Sequence, residues 1–127
     1  MIVLDSSGWI EFFADGPYAD EFAKRLRRPA DVITPTVAIY EVYKWIKRQR
    51  SEDDALEAVA TMKKTNITDL TEEIALTAAD LSLAHGLAMA DAMMLAFARE
   101  NQADFFTTDS GFDGLPRVTV FRKKASS

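Results

Sequence analysis

The chain of 127 residues is 48% hydrophobic and 28% charged, a balance that predicts one globular domain and excludes a disordered chain. It has no cysteine and a single histidine, which excludes disulfide scaffolds, thiol nucleophiles, zinc fingers and iron–sulfur centres. The net charge of −5 argues against a protein that binds nucleic acid by bulk attraction, but it leaves open a site that handles phosphates through metal ions.

The sequence contains no pattern typical of a membrane span or an export signal. Its longest run without Asp, Glu, Lys or Arg is Leu81–Ala90, shorter than the roughly 18 residues that a membrane helix needs. The segment Met1–Asp5 has no basic region ahead of its apolar residues, as a signal peptide would. We therefore expect a cytoplasmic protein that does not enter a membrane.

Short apolar runs alternate with longer amphipathic segments along the chain. In chain order they predict a strand at 2–5, helices at 6–16 and 17–28, a strand at 32–33, helices from 34 and at 51–64, a weak strand at 66–68, helices at 71–85 and 88–101, and strands at 105–107 and 118–121. We expect Ser6 and Ser7 to cap the first helix, Thr34 to cap the third with Pro35 in its first turn, and Gly86 to end the fifth.

This alternation predicts a three-layer α/β/α domain, because helices too long to be hairpin turns must cross over a mainly parallel sheet. We expect a single domain over residues 1–127, ending in a basic tail at about 122–127. In such sheets ligands bind beyond the carboxyl ends of the strands. Asp5 and Asp109 each follow a predicted strand, so they are the first candidates for site residues.

Two further carboxylates stand where the helical pattern calls for an apolar residue. Glu41 lies three residues after Ala38 and four before Trp45, on the apolar side of the third helix. Asp91 lies in the first turn of the sixth helix, four residues before Leu95 and again on an apolar track. An isolated carboxylate is costly to bury, so such groups are normally paired, hydrogen-bonded, protonated or bound to a metal ion.

Each of the four carboxylates also has a purely structural explanation. These explanations are a helix cap for Asp5, an ion pair for Glu41, helix-dipole stabilisation for Asp91 and a turn for Asp109. Taken together, the four are expected to converge above the sheet, where their mutual repulsion would call for a cation. An all-oxygen site selects Mg²⁺ or Mn²⁺, and Mg²⁺ commonly completes its shell with phosphate oxygens. The residues therefore favour phosphodiester chemistry.

Four motifs, in the same order along the chain, resemble those of the PIN-domain ribonucleases. They are an apolar strand followed by Asp-Ser-Ser at 2–7, an apolar approach from residue 34 to Glu41, an Asp-Ala-apolar segment from Asp91, and Thr-x-Asp-x-x-Phe at 107–112. The departures are Ser6, where the family more often has threonine, and Gly111, where it often has an acidic residue. Small free-standing domains with this pattern are similar to VapC toxins of VapBC toxin–antitoxin pairs.

The resemblance implies a PIN-like fold and a metal-dependent endoribonuclease that leaves 5′-phosphate and 3′-hydroxyl ends. The residues expected to hold one or two Mg²⁺ or Mn²⁺ ions, and so to activate a water, are Asp5, Glu41, Asp91 and Asp109. Ser6 and Thr107 are expected to orient a carboxylate or bind phosphate. The resemblance also implies a VapB-type antitoxin, whose tail lies along the first helices and brings a basic side chain to the acidic pocket. It further implies a homodimer that meets through helices.

RNA binding must depend on local positive charge, because the molecule as a whole is acidic. Lys44, Lys47 and Arg48 of one basic run are the candidate RNA-binding residues, and an ordinary solvated helix face is the alternative explanation. A second basic run, at Lys24, Arg25, Arg27 and Arg28, has the same two explanations, and the sequence does not decide which run borders the pocket. The aromatic-rich segments 9–13 and 40–46 are candidates for stacking on bases, for core packing or for the dimer contact.

Two other classes of protein are weighed against the nuclease. A receiver-like phosphoacceptor or a phosphatase also carries aspartates and Mg²⁺ at strand ends. A dehalogenase-type phosphatase, however, requires a second aspartate where this chain has Ser7, and a receiver requires paired acidic residues at the end of its first strand. A binding module with a degenerate site is the third interpretation, and the presence of all four carboxylates argues against it.

Overall fold

The structure, a computed structural model, describes residues 1–122, so residues 123–127 of the predicted basic tail lie outside the described residues. The strands are β1 (Ile2–Leu4), β2 (Val32–Pro35), β3 (Asn66–Thr68), β4 (Asp104–Thr107) and β5 (Val118–Val120). The α-helices within residues 1–122 are α1 (Ser6–Phe13), α2 (Ala19–Arg25), α3 (Thr36–Gln49), α4 (Glu52–Met62), α5 (Glu72–His85) and α6 (Met89–Glu100). Short 3₁₀ turns at Pro29–Asp31 and Ser110–Phe112 complete the elements.

The strands form one sheet in the order β3-β2-β1-β4-β5, and every pair in it is parallel, as the alternation predicted. In the central pair, Leu4 of β1 lies opposite Phe106 of β4. The strand order reverses between β1 and β4, and a crevice opens at such a point beyond the carboxyl ends of the strands. Receiver domains have the order 2-1-3-4-5, so this sheet is not a receiver sheet.

The core lies between the sheet and helices on both faces, and the apolar content of the central elements explains why they are buried. Val3 and Leu4 of β1 have no exposed surface, and the stretch Met94–Ala98 of α6 is at most 2% exposed. In residues 1–122 no single helix has the length and apolar content to cross a membrane. The pair α5 and α6 passes that test jointly, but the two helices are bent by 117° relative to each other.

The start of α3 differs from the prediction that Thr34 caps it. Thr34 and Pro35 instead continue β2, where they lie opposite Ile67 and Thr68 of β3, and Pro35 is the N-cap. A residue that precedes proline is disfavoured in the helical region, so Thr34 remains extended.

At two other helix ends, one prediction is wrong and one is confirmed. Asp5, rather than Ser6 or Ser7, is the N-cap of α1, since its side chain accepts a hydrogen bond from the Gly8 amide. Gly86 ends α5 with φ of 67°, a left-handed conformation that glycine adopts without strain.

Candidate active site

The chain brings four predicted site residues to the crevice beside β1 and β4. Asp5 follows β1 directly, and Asp109 comes two residues after the end of β4. Glu41 lies in the second turn of α3, and Asp91 lies in the first turn of α6. We call these four residues the acidic cluster.

Asp5 is buried, with 2% of its surface exposed, and three donors hold its carboxylate. Oδ1 accepts hydrogen bonds from the Ser7 hydroxyl at 2.6 Å and the Gly8 amide at 3.0 Å, and Oδ2 accepts one from the Thr107 hydroxyl at 2.8 Å. Burial raises the pKa of Asp5 to about 7, the charge of Asp91 adds to this rise, and the three hydrogen bonds oppose it.

The two hydroxyls that hold Asp5 also hold the loop after β4. Ser7 Oγ accepts from the Thr108 amide at 3.1 Å, and Thr107 Oγ1 accepts from the Asp109 amide at 2.9 Å. The end of β1 and the segment that carries Asp109 are therefore tied together through two side chains. Thr107 was a predicted supporting residue, whereas Ser7 was predicted only as a helix cap. Ser7 stands two residues after Asp5, an aspartate at the start of a helix, and this spacing is the sequence signal that could have identified Ser7 as a support of the Asp5 carboxylate.

Glu41 is oriented from α1. The core-facing residues of α3, Ala38 and Val42, flank Glu41 in sequence and leave its side chain half-buried at the edge of the crevice. There Glu41 Oε1 accepts a hydrogen bond of 2.8 Å from the Ser6 hydroxyl. Ser6 therefore contacts a carboxylate of the acidic cluster, and the first two residues of α1 support two different carboxylates.

Asp91 is the member of the cluster that interacts electrostatically with all the others. It is half-buried, and burial together with the charges of Asp109 and Glu41 raises its pKa to about 6. Its charge in turn contributes to the raised pKa of Asp5. Asp109 is exposed, and its Oδ1 accepts a hydrogen bond of 2.8 Å from the Gly111 amide in a local turn.

The donor set of the cluster is that of a hard divalent cation, because its ligand atoms are all carboxylate oxygens. No basic side chain is among the groups that lower the pKa of Asp5 or of Asp91, and none of the four carboxylates forms an ion pair within residues 1–122, so the cluster lacks a counter-charge in the described part of the chain. As the side chains stand in residues 1–122, no three acidic or histidine groups are close enough together to form a ready metal site. Like charges repel, and a cation is the counter-charge that would draw them together.

Comparison with known families identifies the fold. The family model of the PIN domain matches residues 2–118. The chain belongs to the PIN domain family. No curated protein sequence matches it significantly.

Solved structures share the fold of this PIN domain. A toxin–antitoxin complex from Klebsiella pneumoniae aligns with a TM-score of 0.83 and 20% identity, over 97% of this chain and 100% of the matched chain. Mycobacterium tuberculosis VapC20, described as a sarcin–ricin loop cleaving toxin, aligns with a TM-score of 0.75 and 21% identity, over 93% and 98% of the two chains. FitAcB from Neisseria gonorrhoeae aligns with a TM-score of 0.72 and 20% identity, over 96% and 97%.

The predicted RNA-binding residues of this PIN domain all lie on α3 but differ in their surroundings. Lys44 and Arg48 are exposed and line, with Glu41, a groove beside the acidic cluster. Lys47 is exposed and forms an ion pair of 3.5 Å with Glu52 of α4.

The aromatic residues of segments 9–13 and 40–46 also differ in their exposure to solvent. Trp9 has no exposed surface and belongs to the core, so it is not available to a base or a partner, whereas Tyr40 is 61% exposed.

Proposed function

We propose that this PIN domain is an Mg²⁺- or Mn²⁺-dependent endoribonuclease that hydrolyses RNA phosphodiester bonds. The observation that carries this proposal is the electrostatic coupling of four carboxylates from four separate segments, at the place where the strand order reverses between β1 and β4. A group of repelling carboxylates without a basic partner attracts a divalent cation, and such a cation shares its coordination sphere with phosphate oxygens.

The carboxylates that would hold the ion are Asp5, Glu41, Asp91 and Asp109. When bound, the ion supplies an activated water and stabilises negative charge on the reacting phosphate. Ser7 and Thr107 fix the orientation of Asp5, and Ser6 fixes that of Glu41. The carboxylate of Asp91 accepts no hydrogen bond within residues 1–122, so both of its oxygens remain available to a ligand. The chain thus preorganises two of the carboxylates before substrate arrives.

We assign RNA binding to α3, which leads away from the acidic cluster. Lys44, Lys47 and Arg48 follow Glu41 along this helix. Lys47 pairs with Glu52, so Lys44 and Arg48 carry the larger part of the attraction for the phosphates on either side of the cleaved bond. This local charge compensates for the net charge of −5, which by itself repels RNA.

We further propose that the protein is the toxin of a type II toxin–antitoxin pair and acts in the cytoplasm. We also propose that residues 1–127 form a single PIN domain and that two copies of the chain form a homodimer. The fold shared with the solved toxin–antitoxin complex from Klebsiella pneumoniae and with the VapC20 toxin supports the toxin assignment. A cavity of about 350 Å³, with Phe12, Leu26 and Pro29 in its lining, offers a VapB-type antitoxin tail a path along the first helices. A basic side chain at the end of that tail would neutralise the acidic cluster and so inhibit the enzyme.

Cleavage of total cellular RNA by the purified protein tests the nuclease assignment. We expect cleavage with Mg²⁺ or Mn²⁺, none in excess EDTA, and none by folded Asp5→Asn or Asp91→Asn variants. Asp80→Asn, which removes an exposed aspartate on α5, is the matched control and should cleave normally. Full activity in Asp91→Asn, or activity that resists EDTA, would contradict the proposal.

The toxin and homodimer assignments have separate tests. Expression of the wild-type protein should arrest growth of the host cell, while expression of Asp91→Asn should not. Co-purification with a small basic-tailed protein encoded immediately upstream would identify the antitoxin, and light scattering would give the oligomeric state. Growth without arrest, at expression levels equal to those of the inactive variant, would leave a nuclease that is not a toxin.

A further inference from the structure

We propose that a groove on α3 binds an unpaired nucleobase of the RNA next to the acidic cluster, with Tyr40 as the stacking ring. This inference rests on the proposed nuclease function and adds a subsite that selects single-stranded substrate. The groove has a volume of about 290 Å³ and is lined by Tyr40, Glu41, Lys44, Trp45, Arg48 and Gln49, which we call the α3 groove.

The α3 groove is continuous with the acidic cluster through Glu41, which belongs to both. Lys44, Trp45 and Arg48 lie three, four and seven residues after Glu41, so all four side chains share one face of the helix. A strand of RNA whose phosphate lies at the acidic cluster would therefore place its neighbouring nucleotide over this face.

The aromatic ring needed for stacking is exposed in the groove. Tyr40 is 61% exposed, and Lys44 Nζ lies 5.5 Å from the centre of its ring and 3.4 Å from its hydroxyl. Trp45 is half-buried against the core and lines the same groove. Stacking on an aromatic ring requires a base with a free face, which a base in a duplex does not offer.

A second tyrosine–lysine pair on the same helix shows what distinguishes the groove. Tyr43 and Lys47 have the same spacing and a similar ring contact of 5.4 Å, but Glu52 of α4 lies 3.5 Å from both the Lys47 amine and the Tyr43 hydroxyl. Within residues 1–122, Lys44 and Arg48 form no ion pair. The positive charge of the α3 groove is therefore available to a phosphate, and that charge favours a nucleotide over an uncharged apolar ligand.

Binding of RNA in the presence of EDTA tests this inference without any cleavage. The probe is a mixed-sequence single-stranded RNA of about ten nucleotides, compared with the same strand annealed to its complement. Trp9 is fully buried, so a change in tryptophan fluorescence would report on Trp45 in the groove. We expect the single strand to quench this fluorescence, the duplex to leave it unchanged, and Trp45→Phe to abolish the response.

Substitution of the ring gives the quantitative test. We expect Tyr40→Leu to weaken single-strand affinity by about tenfold and Tyr40→Phe to bind like the wild type, because the phenyl ring still stacks. Tyr43→Leu is the matched control and should also bind like the wild type. Equal affinity in Tyr40→Leu and wild type would overturn the inference. A dimer that dissociates in Tyr40→Leu with no change in RNA affinity would overturn it too and would assign the surface to a second copy of the chain.

The outcomes distinguish this inference from the proposed function. If Asp91→Asn abolishes cleavage while Tyr40→Leu binds RNA normally, the nuclease stands and the subsite is wrong. If no RNA is cleaved with either metal while Tyr40→Leu loses affinity, the subsite stands and the nuclease is wrong.

Discussion

The acidic cluster and the α3 groove meet at Glu41 but are built differently. In the cluster, Asp5 is 2% exposed and three donors fix its carboxylate, whereas in the groove Tyr40 is 61% exposed and contacts a lysine on its own helix. Chemistry on a phosphate requires groups held within a fraction of an ångström, so its ligands are anchored by neighbouring hydroxyls and amides. Stacking and charge attraction tolerate a range of geometries, so they can rely on exposed side chains.

The largest expected difference between the acidic cluster and the α3 groove comes from replacing Glu41, the residue that they share. We expect Glu41→Gln to lower RNA cleavage by at least about 100-fold, because even residues that only orient a metal ligand cost about 10- to 100-fold. Binding of single-stranded RNA in EDTA should be unchanged or tighter, because a negative charge leaves the α3 groove. Initial cleavage rates and the fluorescence titration measure the two effects. A parallel loss of both would show that the cluster and groove are a single unit.

Removing the hydroxyls that orient the carboxylates of the acidic cluster should lower RNA cleavage less than Glu41→Gln does. We expect Ser6→Ala and Thr107→Val each to lower metal affinity and cleavage by about 10- to 100-fold. Ser6→Thr should keep the wild-type metal affinity and cleavage, since threonine retains the hydroxyl. Thr119→Val, at an exposed position on β5, is the control. Calorimetric titration with Mn²⁺ reports the metal affinity directly, and normal affinity in both variants would show that these hydroxyls do not position the ligands.

The metal-free protein should become less stable as pH rises from about 4 to about 7. Asp5 has a pKa of about 7 in the folded state against an ordinary value of 3.8, so the folded state binds more protons in this window. We expect the free energy of unfolding in EDTA to be lower at pH 8 than at pH 5.5, by an amount on the order of a few kcal/mol. Urea denaturation measures it.

Two controls identify the cause of that slope. Asp5→Asn should remove the larger part of it, because an amide does not titrate, and leave the smaller part that comes from the raised pKa of Asp91. Mg²⁺ at pH 8 should raise the stability of the wild type, because a ligand that binds only the folded state stabilises it. Stability that rises steadily from pH 5.5 to pH 8 in EDTA would show that burial does not raise the pKa of Asp5.

The smallest expected effect concerns a single charge in the α3 groove. Lys44→Gln should weaken single-strand RNA binding modestly and lower the slope of log affinity against log salt by about 0.7, the value for one phosphate contact on a single strand. A titration at several salt concentrations measures the slope. An unchanged slope would remove Lys44 from the set of phosphate contacts while leaving stacking on Tyr40 to its own test.

Local patterns predicted much of the fold because they depend on neighbours in sequence. The alternation of strands and helices, the parallel sheet and the end of α5 at Gly86 are confirmed. Ser6 and Ser7 were predicted wrongly as caps of α1, because the cap is Asp5, for which a helix cap was one of the two explanations. The start of α3 was predicted wrongly because β3 pairs with Thr34 and Pro35. Pairing with a distant strand leaves no mark on the local pattern.

The sequence by itself determined the chemical types: carboxylates at strand ends and on the apolar sides of helices, no sulfur ligand, and a basic run on one helix. Tertiary structure decided which of these groups interact. Ser7 reaches the loop after β4, and Thr107 reaches Asp5, only because β1 and β4 are neighbours in the sheet. Two tyrosine–lysine pairs with the same spacing differ because α4 brings Glu52 to one of them. Residue spacing sets what lies on a helix face, while packing between distant segments sets what that face meets.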